Sequence, residues 1–297
     1  MLRWALTIAM GCGLISTSVA QLKKFYSLSE VSQFDTVNFE FEATSGHTHW
    51  RQVASGNPLT IYGNPDLDKI NPTFDAQILQ RNCQVSLGLE EFRNSGLGDG
   101  LAFAMLGSSP TEYDDNYWKV LLSDEKVYNL NMHYGIGTSD INLSGAKVKK
   151  LEIRTGSAEV SVSYSADKPN LCEMDTFMVK VDMGSFTAND LDHARAKFVS
   201  AEIGFGKAIL DFSHPVTNSC EVQCNVGLGK LRVLLPKEAP VIIYLKDSPF
   251  RALRMMKDFE EVEKNVFINR TYDAEADNLL TFKVDVSLGN VDFRYAD

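Results

Sequence analysis

From residue 130 onward, apolar side chains take every second position, a glycine interrupts, and the alternation resumes. Six segments carry the pattern. They are Leu130 to Leu143 (LNMHYGIGTSDINL), Leu151 to Val162 (LEIRTGSAEVSV), Val179 to Gly184 (VKVDMG), Ala201 to Phe212 (AEIGFGKAILDF), Val222 to Val233 (VQCNVGLGKLRV) and Phe282 to Phe293 (FKVDVSLGNVDF). A longer correspondence supports the short one: Leu143 to Ala146 (LSGA) precedes Gly156 by thirteen positions, and Leu191 to Ala194 (LDHA) precedes Gly204 by the same thirteen. Period-two alternation buries one face of a strand, so Asp285 and Asp292 face water while their apolar neighbours face a core. The turn glycines Gly135, Gly137, Gly156, Gly184, Gly204, Gly206, Gly227, Gly229 and Gly289 tolerate unusual backbone angles and let adjacent turns approach closely.

Units of roughly 20 to 28 residues cannot bury such a face alone and must stack. The sequence therefore predicts an all-β protein, a repeat β-solenoid or a sandwich-like stack of glycine-turn rungs. A strand, turn, strand unit also fits an antiparallel hairpin meander, and periodicity does not separate the two. Val37 to Val53 alternates, turns at Ser45 and Gly46, and alternates again, a first, degenerate rung. Asn94 to Gly100 and Gly107 to Asp115 read as loops. The expected organisation is a signal segment at 1–20, an N-terminal β-rich region with long loops at 21–125, and a β-repeat domain at 126–297. One short helix is expected where Ser248 and Pro249 supply a start signal and Phe250, Leu253, Met256, Phe259 and Val262 recur at three-residue spacing.

These rungs resemble a known family. Leu130 to Val162 is similar to the toast-rack domains of the cell-wall-active-antibiotics response (LiaF-type) family, and so is the tail, Phe259 to Asn269 (FEEVEKNVFIN) followed by Val284 to Phe293. The resemblance covers roughly residues 126–297 and, more loosely, the region from Thr36. It implies an envelope protein linked to sensing or assembly at the cell surface; adhesin-like repeat domains share the same rungs. LiaF-type proteins carry several N-terminal membrane helices, where this sequence has a single apolar segment.

That segment has the order of a secretory signal: Arg3, an apolar run from Trp4 to Ile15, then Ser18 and Ala20 as small residues before Gln21. The run is too short to span a bilayer, which takes about 20 residues. Cys12 offers a lipoprotein alternative. Export predicts a periplasmic or cell-surface protein with no membrane helix after cleavage. Beyond residue 20 the chain holds 28 Lys+Arg and 39 Asp+Glu, a formal charge of −11, which repels phosphate backbones and excludes nucleic acid as an expected partner. At 44% apolar residues the chain has material for a large core.

The chemistry of the sequence is sparse. Cys83, Cys172, Cys220 and Cys224 form no CxxC pair or Cys/His cluster, and in a straight strand Cys220 and Cys224 lie too far apart to bridge. The glycine turns at Gly204-Phe205-Gly206-Lys207 and Gly227-Leu228-Gly229-Lys230 lack both the phosphate-loop spacing and the third glycine of a dinucleotide site. His47 and His49 share one face of a strand, but no Cys or carboxylate beside them in sequence completes a metal set. His133, His193 and His214 are scattered, with no nucleophile elbow beside them. The acids Glu90, Glu91, Asp114 and Asp115 read as solvated pairs. Tyr113, Tyr117 and Trp118 could form an aromatic edge, with Trp118 better placed as core. The sequons at Asn142 and Asn269 matter only where the host glycosylates them.

No catalytic, cofactor or metal residue is therefore assigned. The expected function is an exported, non-catalytic envelope module that binds, scaffolds or supports adhesion through an envelope protein or glycan, with a link to envelope stress. The alternative is a β-helical enzyme acting on envelope polysaccharide, which requires carboxylates about 5 to 9.5 Å apart in a groove.

Overall fold

The computed structural model describes residues 23–29, 32–65, 67, 69–91, 116–248 and 252–295. The proposed signal segment and Cys12, Tyr113, Asp114, Asp115 and both predicted loops lie outside the described residues.

In chain order the strands are β1 (Lys24–Ser27), β2 (Thr36–Ala43), β3 (His47–Val53), β4 (Leu59–Asn64), β5 (Ile70–Leu79), β6 (Asn82–Glu91), β7 (Tyr117–Ser123), β8 (Val127–Tyr134), β9 (Thr138–Asn142), β10 (Val148–Thr155), β11 (Glu159–Ser163) and β12 (Met174–Val181). They continue as β13 (Ser185–Asn189), β14 (Ala196–Ile203), β15 (Lys207–Asp211), β16 (Cys220–Val226), β17 (Lys230–Leu235), β18 (Val241–Leu245), β19 (Ala252–Arg254), β20 (Glu260–Glu263), β21 (Val266–Ile268), β22 (Leu280–Val286) and β23 (Asn290–Tyr295). Among the described residues one 3-10 turn, Leu191–Ala194, interrupts them.

Two sheets face each other. The first runs β1-β4-β7-β3-β9-β11-β13-β15-β17-β23-β19 and the second β20-β21-β18-β22-β16-β14-β12-β10-β8-β2-β6-β5. Each rung places one strand in the second sheet, turns at glycine, and places the next strand in the first sheet. Successive rungs pair in parallel, as in β8 with β10, β10 with β12 and β9 with β11. A hairpin meander would pair them antiparallel, so the stack is a two-faced solenoid.

The alternation explains the core. Phe41 of β2 meets Trp50 of β3 edge to face with ring centroids 5.3 Å apart, Phe177 meets Phe186 at 6.2 Å and Phe282 meets Phe293 at 5.6 Å. Each pair joins the two strands of one rung across the interior, burying large apolar area with favourable ring geometry. Val37 to Val53 does form a rung, and β2 and β3 pair with β8 and β9 in the same sheets that hold the later repeats.

Sequence order and stack order part company at both ends. The last strands of the chain, β22 and β23, lie between β16/β17 and β18/β19. The first rung, β2/β3, is likewise interior, covered by β6 and β7. Antiparallel partners then finish one end of the stack, β4 and β1 in the first sheet and β5 in the second, and β21 and β20 finish the second sheet at the other end. Outermost β20 is an exposed acidic strand with Glu260, Glu261 and Glu263, which discourages pairing with another sheet edge.

The helix expected near residue 250 is not formed. Ala252–Arg254 is strand β19, parallel to β23, while Leu253, Met256 and Phe259 pack partly buried against the core and Val262 is exposed on β20. A helix there would leave the outer edge of β23 unpaired, and that need outweighs the three-residue spacing. Pro249 and Phe250 lie outside the described residues.

Candidate functional site: a polar trough and an apolar ridge

Outward-facing residues of the second sheet line up across strands, because in-register pairing, parallel between rungs and antiparallel between β5 and β6, places every second residue of each strand in a row. One row reads Gln77, Gln84, Asn38, Asn129, Lys150, Thr176; the next reads Asp75, Ser86, Glu40, Asn131, Glu152, Met178. Together they line a shallow trough of about 670 Å³. Six strands at about 4.8 Å spacing make each row roughly 24 Å long.

The two rows are amide, hydroxyl and carboxylate apart from Lys150 and Met178, and the buried Phe39 lies against the floor. Asn129 donates from Nδ2 to Asn38 Oδ1 at 2.7 Å, which leaves the Asn129 carbonyl oxygen without a hydrogen bond in the structure. Glu152 is held by Arg154, whose Nη2 donates to its carboxylate at 2.7 Å. Beside the trough runs a third row, Glu42, His133, Arg154, Lys180, Glu202, with an acid at each end and basic side chains between.

The second exposed feature is apolar. The middle residue of the three-residue glycine turn is Ile136, Met183, Phe205, Leu228 or Leu288 in five rungs, and each is exposed, Phe205 by 70%. Backbone bonds lock these tips in sequence: Phe205 N donates to Asp182 O at 2.7 Å, Leu228 N to Gly204 O at 2.8 Å and Leu288 N to Gly227 O at 2.9 Å. The ridge sits where a Cβ on the following glycine cannot. At Gly206 such an atom would lie 2.4 Å from Gly184 O, and at Gly229 it would lie 2.4 Å from Gly206 O. The nested glycines hold the turns together and push the residue before them outward.

The histidines and acids singled out by sequence are distributed as follows. His47 and His49 do share an outward face, but a carboxylate stands beside them after all: Asp140 Oδ2, on neighbouring β9, lies 3.4 Å from His49 Nδ1. Arg51 occupies that same oxygen at 2.8 Å, and burial with the Arg51 charge holds His49 below its ordinary pKa, so the group is an ion pair. His47 Nδ1 lies 2.7 Å from Thr138 Oγ1. Trp118 is buried core and Tyr117 is exposed. Glu90 and Glu91 end β6 in solvent, with Ser45 bonded to Glu91.

Two histidines read as scattered are in fact neighbours. His193 and His214 stack with ring centroids 5.4 Å apart and flank the buried Asp192. The signal missed was the position of both in the return segments between rungs, which stacking brings into register. The four described cysteines are free, and burial pushes the Cys220 and Cys224 thiols up to about 12. Cys220 and Cys224 point inward along straight β16. Asn269 is buried and donates to Ala239 O at 2.7 Å, a structural role closed to glycosylation.

Residues 105–184 match the family model described as the N-terminal domain of toast_rack, DUF2154. No curated protein matches the chain. Among solved structures, a "putative cell adhesion protein" from Clostridium sporogenes ATCC 15579 aligns at 12% identity with a TM-score of 0.43, covering 93% of this chain and 99% of that one. A "putative adhesin" from Bacteroides fragilis NCTC 9343 aligns at 10% identity with a TM-score of 0.34, covering 92% and 96%. The toast-rack match spans β7 to β12, and so includes the β8, β10 and β12 half of the trough. No helix among the described residues is long and apolar enough to cross a membrane.

Proposed function

We propose that this toast-rack protein is an exported, non-catalytic, adhesin-like module of the cell envelope that binds an envelope glycan along the trough of the second sheet. One observation carries the reading: two in-register rows, polar or charged at every position but Met178, cross six strands. A repeating polar floor of this kind offers regularly spaced donors and acceptors to a repeating polar polymer. The signal-like segment at 1–20 supports export, and the ion-paired Glu152 supports binding without turnover. A part in the response to envelope stress follows from the family resemblance and belongs to the same proposal.

A second reading is favoured by Glu40 and Glu152, which flank Asn131 on the same face. Two strand spacings place their backbones about 9.6 Å apart, near the carboxylate separation of inverting glycosidases. Incubation of the purified protein with isolated cell-wall polysaccharide decides between them. Binding that Asn129→Ala and Asn131→Ala together abolish, with no release of reducing ends, is the expected result. Release of reducing ends that Glu152→Gln stops would establish the enzyme instead, and no retention on any envelope glycan would remove both.

A further inference from the structure

We propose that Asp192, His193 and His214 form a binding site for a divalent transition-metal ion of the zinc type, which ties two successive rungs together at the return corner.

Asp192 and His193 lie in the 3-10 turn after β13, and His214 lies in the corresponding segment after β15, one rung further along. His193 Nε2 is 3.2 Å and His214 Nδ1 is 3.5 Å from the same oxygen, Asp192 Oδ2. The three ligand atoms fall within 4.8 Å of one another. Ligands at about 2.0–2.2 Å from a tetrahedral ion stand roughly 3.3–3.6 Å apart, so the two measured separations are already those of tetrahedron edges. Imidazole and carboxylate together are a normal zinc set. Asp190 Oδ1, 3.7 Å from His214 Nδ1, stands at the rim.

A second observation points to a ligand. The Asp192 side chain is 0% exposed, yet neither carboxylate oxygen nor His193 Nε2 makes a hydrogen bond in the structure. The backbone N–H groups of Asp192 and His214 face the carboxylate beside the two imidazoles, but burying it without a well-aligned hydrogen bond is costly, and an ion seated between the three side chains would satisfy all of them at once. Exposure rises outward, from Asp192 to His193 at 22% and His214 at 54%, which gives an ion a path from solvent.

The corner is also held in advance. Asn170, fully buried in the preceding rung, donates from Nδ2 to Ala194 O at 3.1 Å and from its backbone N–H to His193 O at 3.0 Å. Arg195 Nη1 donates to Asn170 O at 3.3 Å. These contacts fix the turn that carries two of the three ligands, so the ion meets a formed site.

The test uses the full chain, stripped with chelator and titrated with zinc chloride by calorimetry, with melting temperature read in parallel. One ion per chain is expected, with a rise of about 5 °C at a hundredfold excess over Kd. His214→Ala, which removes a half-exposed side chain, should weaken binding by at least about tenfold, the scale on which even outer partners of a metal matter. His47→Ala with His49→Ala should leave binding unchanged. Cobalt bound to the stripped protein should give the visible absorption of a tetrahedral N/O site, lost in His214→Ala. No binding by the folded wild type, or binding that survives His214→Ala, would overturn the assignment. His193→Ala repeats the test should His214→Ala fail to fold.

Discussion

The two corners of the stack are made by opposite means. At the glycine corner the repeated turns have three residues between their strands, as at 135–137, 156–158, 182–184, 204–206, 227–229 and 287–289. At the return corner the connections vary, from three residues between β7 and β8 to ten between β11 and β12. The first corner is closed by backbone packed on backbone; the second is closed by buried polar side chains, Asn170, Asp192 and Asn269. Stacking explains the difference. Where each turn rests directly on the one below, every rung meets the same neighbour and needs the same residue. Where side chains bridge the rungs, each corner has its own solution, and such a corner is free to carry a site.

The largest effect is expected at the return corner. Asn170 accepts a hydrogen bond from Val148 N at 2.9 Å and donates to Val148 O, Cys172 O and Ala194 O. Asn170→Ala strands these buried groups, and a loss of roughly 3 kcal/mol or more in denaturant unfolding is expected. A loss below about 1 kcal/mol, the net worth of one hydrogen bond, would mean that side chains do not hold this corner.

The glycine corner should break by sterics. Gly206→Ala puts a Cβ 2.4 Å from a backbone carbonyl oxygen, whereas Gly156→Ala meets its nearest atom, Gly135 O, at 3.2 Å. A cost of about 2 kcal/mol is expected for the first and under about 1 kcal/mol for the second. Ala158 already occupies the position in its own turn that Gly206 fills further along, so the contrast tests the local fit and not glycine as such. Equal costs for the two variants would show that the nested turns relax freely.

These two corners were not equally legible in the sequence. The glycine corner repeats, so its residues announced themselves by period, and with them the strands, the inward faces and Trp118 as core. Parallel pairing was undecided because alternation is identical in a solenoid and a meander. The expected helix failed because the apolar spacing from Leu253 to Val262 says nothing of the unpaired edge of β23 that the chain must cover. The trough rows needed register, which depends on how rungs stack: Asn38 and Asn129 are 91 positions apart and adjacent in space. His193 and His214 belong to connections of unequal length, where no period links them.

A smaller pair of effects compares a tyrosine at each corner. Tyr134, at the end of β8, accepts a hydrogen bond from Ser139 Oγ at 2.9 Å; the hydroxyl of Tyr164, following β11, is buried without one. Tyr134→Phe should cost about 1 kcal/mol, and Tyr164→Phe should be neutral or stabilising near pH 7. Burial raises both phenols, Tyr134 to about 12 and Tyr164 further. The folded state therefore holds these protons more tightly than the unfolded chain, whose tyrosines titrate near 10. That contribution is complete below pH ~10 and is lost as pH rises through the folded values. Melting temperature should fall above pH ~10, less steeply in Tyr164→Phe, and an unchanged alkaline profile in that variant would remove Tyr164 as a cause.

The smallest effect on stability belongs to the ridge, and there the absence of an effect is informative. Met183, Phe205 and Leu228 sit on consecutive turns, and their exposures of 63%, 70% and 50% mean that folding removes little of their surface from water. Changing all three to Ser should leave unfolding within about 0.5 kcal/mol of wild type, as for surface positions generally. The turn glycines, which set the backbone, are untouched. Contiguous apolar surface on a folded protein is uncommon and tends to mark a contact, so the triple variant should bind a hydrophobic reporter dye much less than wild type. If stability instead fell by 2 kcal/mol or more, a loss on the scale of burying a core side chain, the ridge would be part of the packing that closes the glycine corner. The two corners would then differ in regularity alone, with side chains closing both.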